Sequence, residues 1–363
     1  MSDGHILIIR LSAMGDVAMT VPIVHALANQ YPNLRITVLS RGFASAFFSN
    51  LAPNVSFIEA DFKKQYKGLQ GLNVLYRHLK TERFTAVADL HDVLRTKYLR
   101  MRFACSGIKV RHIDKHRRLR RQLTSRSRNG RISLPSSFQN YADVMASLGY
   151  PVTPAFRSIF PENGAEQSLL PPTLQQKPDN EKWMGIAPFA AHEGKVYPLE
   201  KMERVISSLS QRFPHLRIFL FGGGRKEKEI LDNWCLHHPA CTNASSLLSS
   251  LKEELTLMSQ LDVMLSMDSA NAHLASLVNT RVVSIWGATH PCAGFMAWNQ
   301  NPDDAIQVEL SCRPCSIYGN KPCHRNDFAC MQEIEPQQIV NQLALHLTSN
   351  RQEIQIIYKR IIN

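Results

Sequence analysis

Residues 5–30 read HILIIRLSAMGDVAMTVPIVHALANQ, and this stretch decides the fold class. An unbroken apolar run from Ile6 to Ile9 is the pattern of a strand covered on both faces, as in a parallel sheet. It breaks at Arg10, passes through the loop Arg10-Leu11-Ser12-Ala13-Met14-Gly15-Asp16, and resumes as a helical pattern from Val17 to Gln30. Pro22 inside that pattern is expected to kink the helix or delay its regular part. The same alternation recurs, with strands expected at Leu34–Ser40, Val55–Glu59, Phe84–Leu90 and Gly107–Val110. Helices are expected between them at Leu69–Arg83 and Val93–Ala104, and after them at Tyr141–Leu148.

A second alternation runs through strands at Lys182–Ala187, Leu216–Phe221, Leu261–Ser266 and Val282–Trp286. Its helices are expected at Leu199–Phe213, Lys226–His237, Ser269–Leu277 and Pro336–Leu347. At about 150 residues per domain, 363 residues fit two domains. The reading is α/β throughout, with two Rossmann-like parallel-sheet domains facing a central cleft: residues 1–165, a proline-rich linker at 166–180, and residues 181–347. Residues 348–363 form a short amphipathic helical tail expected to pack back on the first domain. Composition, 44% hydrophobic and 20% charged, excludes disordered, collagen-like and coiled-coil chains. No apolar run is long enough to span a bilayer and the start lacks a cleavage pattern, so a cytoplasmic location is expected.

The formal charge of +12 is concentrated. Residues 109–131 hold ten Lys or Arg and one acidic residue, a field that suits a polyanion: nucleic acid, anionic membrane or a phosphorylated substrate. A merely solvated loop is the other reading. No helix-turn-helix, finger or aromatic platform accompanies the charge, which argues against nucleic acid.

In open parallel sheets the loops beyond the carboxyl ends of strands line the ligand crevice. Asp16 then has two readings: a general base on a hydroxyl, or a helix cap. Neither GxGxxG nor GxxxxGK occurs there. In the second half, Ala187–Pro198 offers Lys195 to a phosphate, and Gly222-Gly223-Gly224 offers backbone amides. Met267–His273 places Ser269 and Ala270 at a helix start that favours an anion. Three such loops in one domain favour a nucleotide diphosphate.

RLSAMGDV at 10–17, DLHDVLRT at 89–96, APFAAHEGKVYP at 187–198, FGGG followed by Glu227, MDSANAH at 267–273 and SIWGATHP at 284–291 occur in an order and spacing that resembles the ADP-heptose:lipopolysaccharide heptosyltransferases, glycosyltransferase family nine, of GT-B architecture. The resemblance implies inverting transfer of heptose, from ADP-L-glycero-D-manno-heptose, to the inner core of lipopolysaccharide or a related anionic glycolipid. It implies Asp16 and Lys195 as catalytic residues. The nucleotide-sugar set it implies is Ser12, Gly15, Lys195, Gly223, Glu227, Asp268, Ser269, Ala270 and His273. Ala270 stands where the family commonly has glycine. Lys195 and helix amides in place of a metal ion imply catalysis without a cofactor. The acceptor is expected at Arg95, Lys115, Arg117, Arg118, Arg120 and Arg121, which would also hold the enzyme against the cytoplasmic face of the inner membrane. The alternatives are a non-catalytic nucleotide- or glycan-binding protein and a transferase using another nucleotide sugar. A nucleotide-sugar epimerase would need a dinucleotide fingerprint that is absent.

Cys312, Cys315, Cys323 and Cys330 carry the spacing Cys-x2-Cys-x7-Cys-x6-Cys. Four thiolates so spaced fit a closed tetrahedral structural zinc site away from the reacting centre. Free thiols or local disulfides are the competing reading.

Overall fold

A computed structural model describes residues 4–126, 130 and 132–348. The expected tail at 348–363 lies outside the described residues except for Thr348, which ends the last helix. The chain divides into two compact units, one comprising Met1–Arg117 and Leu134–Phe160, the other Arg118–Ser133 and Pro161–Asn363. The basic segment from Arg118 therefore groups with the second unit, whereas the sequence reading placed it in the first. No helix among the described residues is long and apolar enough to cross a membrane.

The first unit is built on β1 (His5–Ile9), β2 (Arg35–Ser40), β3 (Val55–Glu59), β4 (Ala86–Asp89) and β5 (Lys109–His112). All pairs are parallel, in the order β3-β2-β1-β4-β5. Pro22 acts by delay: a short α1 (Met14–Ala18) closes before α2 (Val21–Gln30) starts, with the proline in its first turn, where a missing N–H costs nothing. The other helices of this part of the chain are α3 (Ser45–Phe48), α4 (Gly68–Thr81), α5 (Leu94–Cys105), α6 (Arg117–Leu123) and α7 (Ser137–Leu148). Leu7, Ile9, Leu75, Leu79, Val87, Leu99 and Phe103 share one core, so the apolar stripes of α4 and α5 close over the sheet.

The second unit carries β6 (Lys182–Ala187), β7 (Leu216–Leu220), β8 (Cys241–Asn243), β9 (Val263–Met267), β10 (Val282–Ile285) and β11 (Ala305–Ile306), ordered β11-β10-β9-β6-β7-β8 and again all parallel. Its helices are α8 (Leu199–Arg212), α9 (Gly224–His237), α10 (Ala244–Leu247), α11 (Leu251–Gln260), α12 (Ala270–Leu277), α13 (Ala329–Gln332) and α14 (Pro336–Thr348). The edge strands β8 and β11 and the helix α11 were not expected from sequence. The strands have three and two residues, too short for a periodic pattern. The helix start is marked by Ser250, whose Oγ accepts the Glu253 N–H at 3.2 Å.

Chain order reverses between β1 and β4 in the first sheet and between β6 and β9 in the second. Such switch points open a crevice outside the strand ends. Ile9 lies level with Asp89, and Ala187 with Ser266, so each crevice is flanked by two of the loops singled out in the sequence.

Gly185, in the middle of β6, has no room for a side chain, because a Cβ there would run into Met264 Sδ and, at 2.8 Å, Leu261 Cδ1. Gly185→Ala is expected to destabilise the second unit by about 1–3 kcal/mol through overpacking, read as a lower urea midpoint at unchanged slope.

Candidate active site

At the first switch point Arg10 is buried, donating through Nη1 to the Leu90 carbonyl at 2.6 Å and pairing through Nη2 with Asp16 Oδ2 at 2.8 Å. That same Oδ2 accepts the Ala13 N–H at 3.2 Å. Asp16 thus caps its helix through Oδ2, the oxygen that also meets Arg10. At the end of β4, fully buried Asp89 accepts the N–H groups of His91 (3.0 Å) and Asp92 (2.9 Å) and pairs with Arg100 at 3.3 Å. His91 approaches the Leu11 N–H through Nδ1 at 3.4 Å, which puts its own proton on Nε2. Burial, reinforced by the positive charges of Arg10 and Lys115, lowers its pKa to about 3. A cavity of about 460 Å³ opens beside this network, lined by Ser12, Arg41, Glu59, Phe62, His91 and Arg95 among others.

The structure separates the six basic residues expected to hold an acceptor. Arg95 lies on this cavity, its guanidinium 5.3 Å over the Phe62 ring. Lys115 Nζ donates to the Asp92 carbonyl at 3.0 Å, and Arg117 pairs with the Asp92 carboxylate at 3.2 Å. Arg120 belongs to the second unit, hydrogen-bonded to the Tyr318 hydroxyl and 5.6 Å over the rings of both Phe295 and Tyr318. Arg118 and Arg121 are exposed. Asp92 and the aromatic pair thus engage three of the six residues expected to hold an acceptor.

At the second switch point, the 3-10 turn Glu193–Lys195 follows β6 and brings Lys195 Nζ to 2.9 Å from Asp268 Oδ2. Thr289 Oγ1 donates to the same oxygen at 2.7 Å. Ser269 is the N-cap residue of α12 with its hydroxyl 3.2 Å from Ser266 Oγ, and Ala270 begins the helix. His273, one turn further, is buried on a small pocket that Asp268 also lines. In the glycine loop Gly223 N–H donates to Glu227 Oε2 at 2.7 Å and Gly222 N–H to Ser245 Oγ at 2.6 Å. Glu227 therefore caps α9, and its Oε1 is the oxygen left for a ligand hydroxyl.

From sequence the cysteines read either as a zinc site or as free thiols. All four are free thiols, and no three His, Cys, Asp or Glu side chains among the described residues gather as a metal-holding group. Cys330 instead joins the apolar core of the second unit, where burial pushes its pKa up to about 11. Nor is the loop remote from the candidate site. Cys315 N–H donates to the Ala288 carbonyl at 3.0 Å, and Ala288 N–H donates to the Gly194 carbonyl at 2.8 Å. Gly319, at φ +79°, packs so closely on the Lys195 stem that a Cβ would collide with it.

Arg313, within this loop, went unnoticed in the sequence. Its guanidinium is 0% exposed and donates to the carbonyls of Gly287 (2.5 Å), Trp286 (3.0 Å), Thr289 (2.9 Å) and Val308 (2.5 Å) and to Gln307 Oε1 (3.0 Å). It thereby holds the loop that presents Thr289 to Asp268. The zinc-like cysteine spacing around it drew the reading elsewhere.

Two parallel α/β units, each with charged side chains at its switch point, define a two-unit sugar-transferase fold of the GT-B class. The model of glycosyltransferase family 9 (heptosyltransferase) matches residues 73–323, over half of the chain, and the chain belongs to that family. It is similar to the lipopolysaccharide core heptosyltransferase OpsX of Haemophilus influenzae, with 26% identity over 302 residues, covering 83% of each chain. Among solved structures, a family 9 glycosyl transferase from Veillonella parvula matches with a TM-score of 0.71 and 16% identity, covering 96% of this chain and 98% of that one. The E. coli heptosyltransferase WaaC with ADP matches with a TM-score of 0.62 and 17% identity, covering 86% and 96%. The fold class and the glycosyltransferase activity expected from the sequence are thus borne out.

Arg313→Met strands several buried carbonyls at once and is expected to cost about 3 kcal/mol or more, measured by urea unfolding. His91 supplies a pH test. The unfolded imidazole takes a proton near pH 6.5 and the folded one only near pH 3, so the stability from keeping it neutral is complete above about 6.5 and is lost as pH falls toward 3. His91→Gln should flatten that acid limb in urea midpoints taken between about pH 7 and pH 4.5.

Proposed function

We propose that the chain transfers heptose, with inversion, from ADP-L-glycero-D-manno-heptose to the inner core of lipopolysaccharide, working at the cytoplasmic face of the inner membrane. The observation that carries the reading is the Lys195–Asp268–Thr289 cluster beside the start of α12, in a chain of the heptosyltransferase family. The curated relative OpsX is a lipopolysaccharide core heptosyltransferase, and WaaC is solved with ADP.

In this reading the acceptor hydroxyl gives its proton to Asp16 Oδ1 while its oxygen attacks the anomeric carbon. The bond from that carbon to the diphosphate oxygen breaks on the opposite side, and ADP leaves. Arg10 holds Oδ2, which fixes the carboxylate plane and keeps Oδ1 available. Lys195 meets the negative charge that grows on the departing diphosphate, where a preorganised cation contributes most. Ser269 and the amides opening α12 add donors to the same phosphate. Asp268 orients Lys195, Thr289 orients Asp268, and Glu227 and the Gly223 loop take the ribose side. These charges serve in place of a metal ion, so turnover should persist in a chelator. Arg95, on the first unit's cavity, meets the anionic acceptor.

Incubation with a panel of nucleotide heptoses and truncated lipopolysaccharide acceptors, followed by mass spectrometry of the product, tests the assignment. A heptosylated acceptor formed only from the ADP sugar is expected, and no product from any pair would overturn it. Asp16→Asn should lower kcat by about 10²–10⁴-fold with ADP-heptose affinity nearly unchanged, because the amide keeps the size but cannot take the proton. Lys195→Ala should lower both donor affinity and single-turnover rate, and by more than Ser269→Ala. Calorimetry and rapid quench would read the two effects.

A further inference from the structure

The first unit has a basic and apolar rim that the proposed reaction does not use. Leu69 opens α4 with 67% exposure, and Leu94 opens α5 with 86%. The two helices lie side by side, since Asn73 of α4 accepts hydrogen bonds from Tyr98 and Arg102 of α5, both at 2.5 Å. Each follows a strand of the same parallel sheet, β3 and β4, so their first turns lie at the edge where the strands end. Between β3 and α4 the loop carries Lys63, Lys64 and Lys67, all exposed, and none makes a salt bridge among the described residues.

This loop is held in place. Asp61 Oδ1 accepts the N–H groups of Lys63 (2.8 Å) and Lys64 (3.1 Å), and Tyr66 is buried, its N–H bonded to the Asp61 carbonyl at 2.8 Å. Arg95, next to Leu94, stacks over Phe62 in the same loop, which joins the two helix starts. Phe62, Lys63 and Arg95 all line the 460 Å³ cavity, so the rim borders its mouth.

A single exposed leucine needs no explanation. Two of them beside three exposed lysines that form no salt bridge among the described residues, with Asp61 the acidic neighbour of Lys63 and Lys64, form the combination by which proteins sit on an anionic bilayer: apolar side chains enter the headgroup boundary and ammonium groups meet phosphates. Flexible point charges around protruding leucines fit a fluid lipid surface better than a shaped protein partner. We propose that the first unit docks on anionic phospholipid through Leu69, Leu94, Lys63, Lys64 and Lys67, with the cavity mouth turned toward the lipid. The basic helix α6, whose Arg117 and Arg120 are engaged within the protein, is not the docking element. The link to function rests on the glycolipid acceptor proposed above, but docking itself requires neither substrate.

The test is co-sedimentation of the full chain with vesicles of phosphatidylcholine alone or mixed with phosphatidylglycerol, without donor or acceptor. Binding is expected only to the phosphatidylglycerol vesicles and should fall as salt rises. Leu69→Gln with Leu94→Gln should weaken it at least about tenfold. Lys64→Glu with Lys67→Glu should weaken it by about 25-fold or more, on the order of fivefold per charge removed. Arg118→Glu with Arg121→Glu should change it less than about twofold, and equal melting temperatures would confirm that all variants fold. Rim variants that bind like the parent, loss of binding only in the α6 variant, or a parent that binds neither vesicle would overturn the proposal. Because no sugar nucleotide is present, each outcome stands whatever product analysis shows about the reaction.

Discussion

A guanidinium with no solvent contact organises the second unit's site. Burying a charge is costly unless its hydrogen-bonding capacity is filled, and Arg313 fills its own with four carbonyls and one side-chain amide. These bonds spread part of the charge over backbone dipoles. Three of those carbonyls belong to Trp286, Gly287 and Thr289, which ties the conformation of that loop to one side chain. The loop in turn touches both working groups: Ala288 N–H bonds the turn carrying Lys195, and the Thr289 hydroxyl bonds Asp268. Lysine could not replace the arginine, because three donors around a point charge cannot reach five acceptors spread in a plane.

The two switch points solve one electrostatic problem in opposite ways. In the first, Arg10 is sequestered and a carboxylate oxygen is left open, so the crevice presents a base. In the second, the carboxylate is sequestered by Lys195 and Thr289, and the positive group stands beside a helix start, so the crevice presents a cation and amide donors. Proton acceptance from an incoming hydroxyl and charge stabilisation on a departing diphosphate are the two demands of glycosyl transfer from a nucleotide donor. The proposed reaction assigns them to different units, since one loop cluster cannot be tuned for both signs at once.

Most strands and the crevice loops were legible because they depend on local pattern. Unbroken apolar runs marked β1, β2, β4, β6, β7, β9 and β10, and the loop after each carried its polar residues in view. Asp16, Lys195 and Asp268 could be picked out for the same reason. What stayed hidden depends on contacts between residues far apart in sequence. Arg313 lies 24 residues from its Thr289 partner, and Gly319 packs on Lys195 across more than a hundred residues. The cysteine spacing left zinc and free thiols open as readings: Cys312, Cys315 and Cys323 all lie near enough to act on Cys330, but no metal-holding group forms among the described residues, and Cys330 is buried in the apolar core.

The same distinction governs the positive charge. Counted along the sequence, the segment at 109–131 dominates, yet three of its ten basic residues are engaged by groups within the protein. Arg117 meets Asp92, Arg120 lies over two aromatic rings, and Lys115 serves a carbonyl, so these charges act mainly inside the protein. The lysines at 63, 64 and 67 are fewer, yet all three are exposed and none is held in a salt bridge among the described residues. A long-range attraction depends on charges that no nearby group has neutralised, and it decays over about 10 Å at moderate salt. In the proposed docking, the attracting surface is set by which lysines the fold leaves exposed beside apolar side chains, not by where basic residues are densest in the chain.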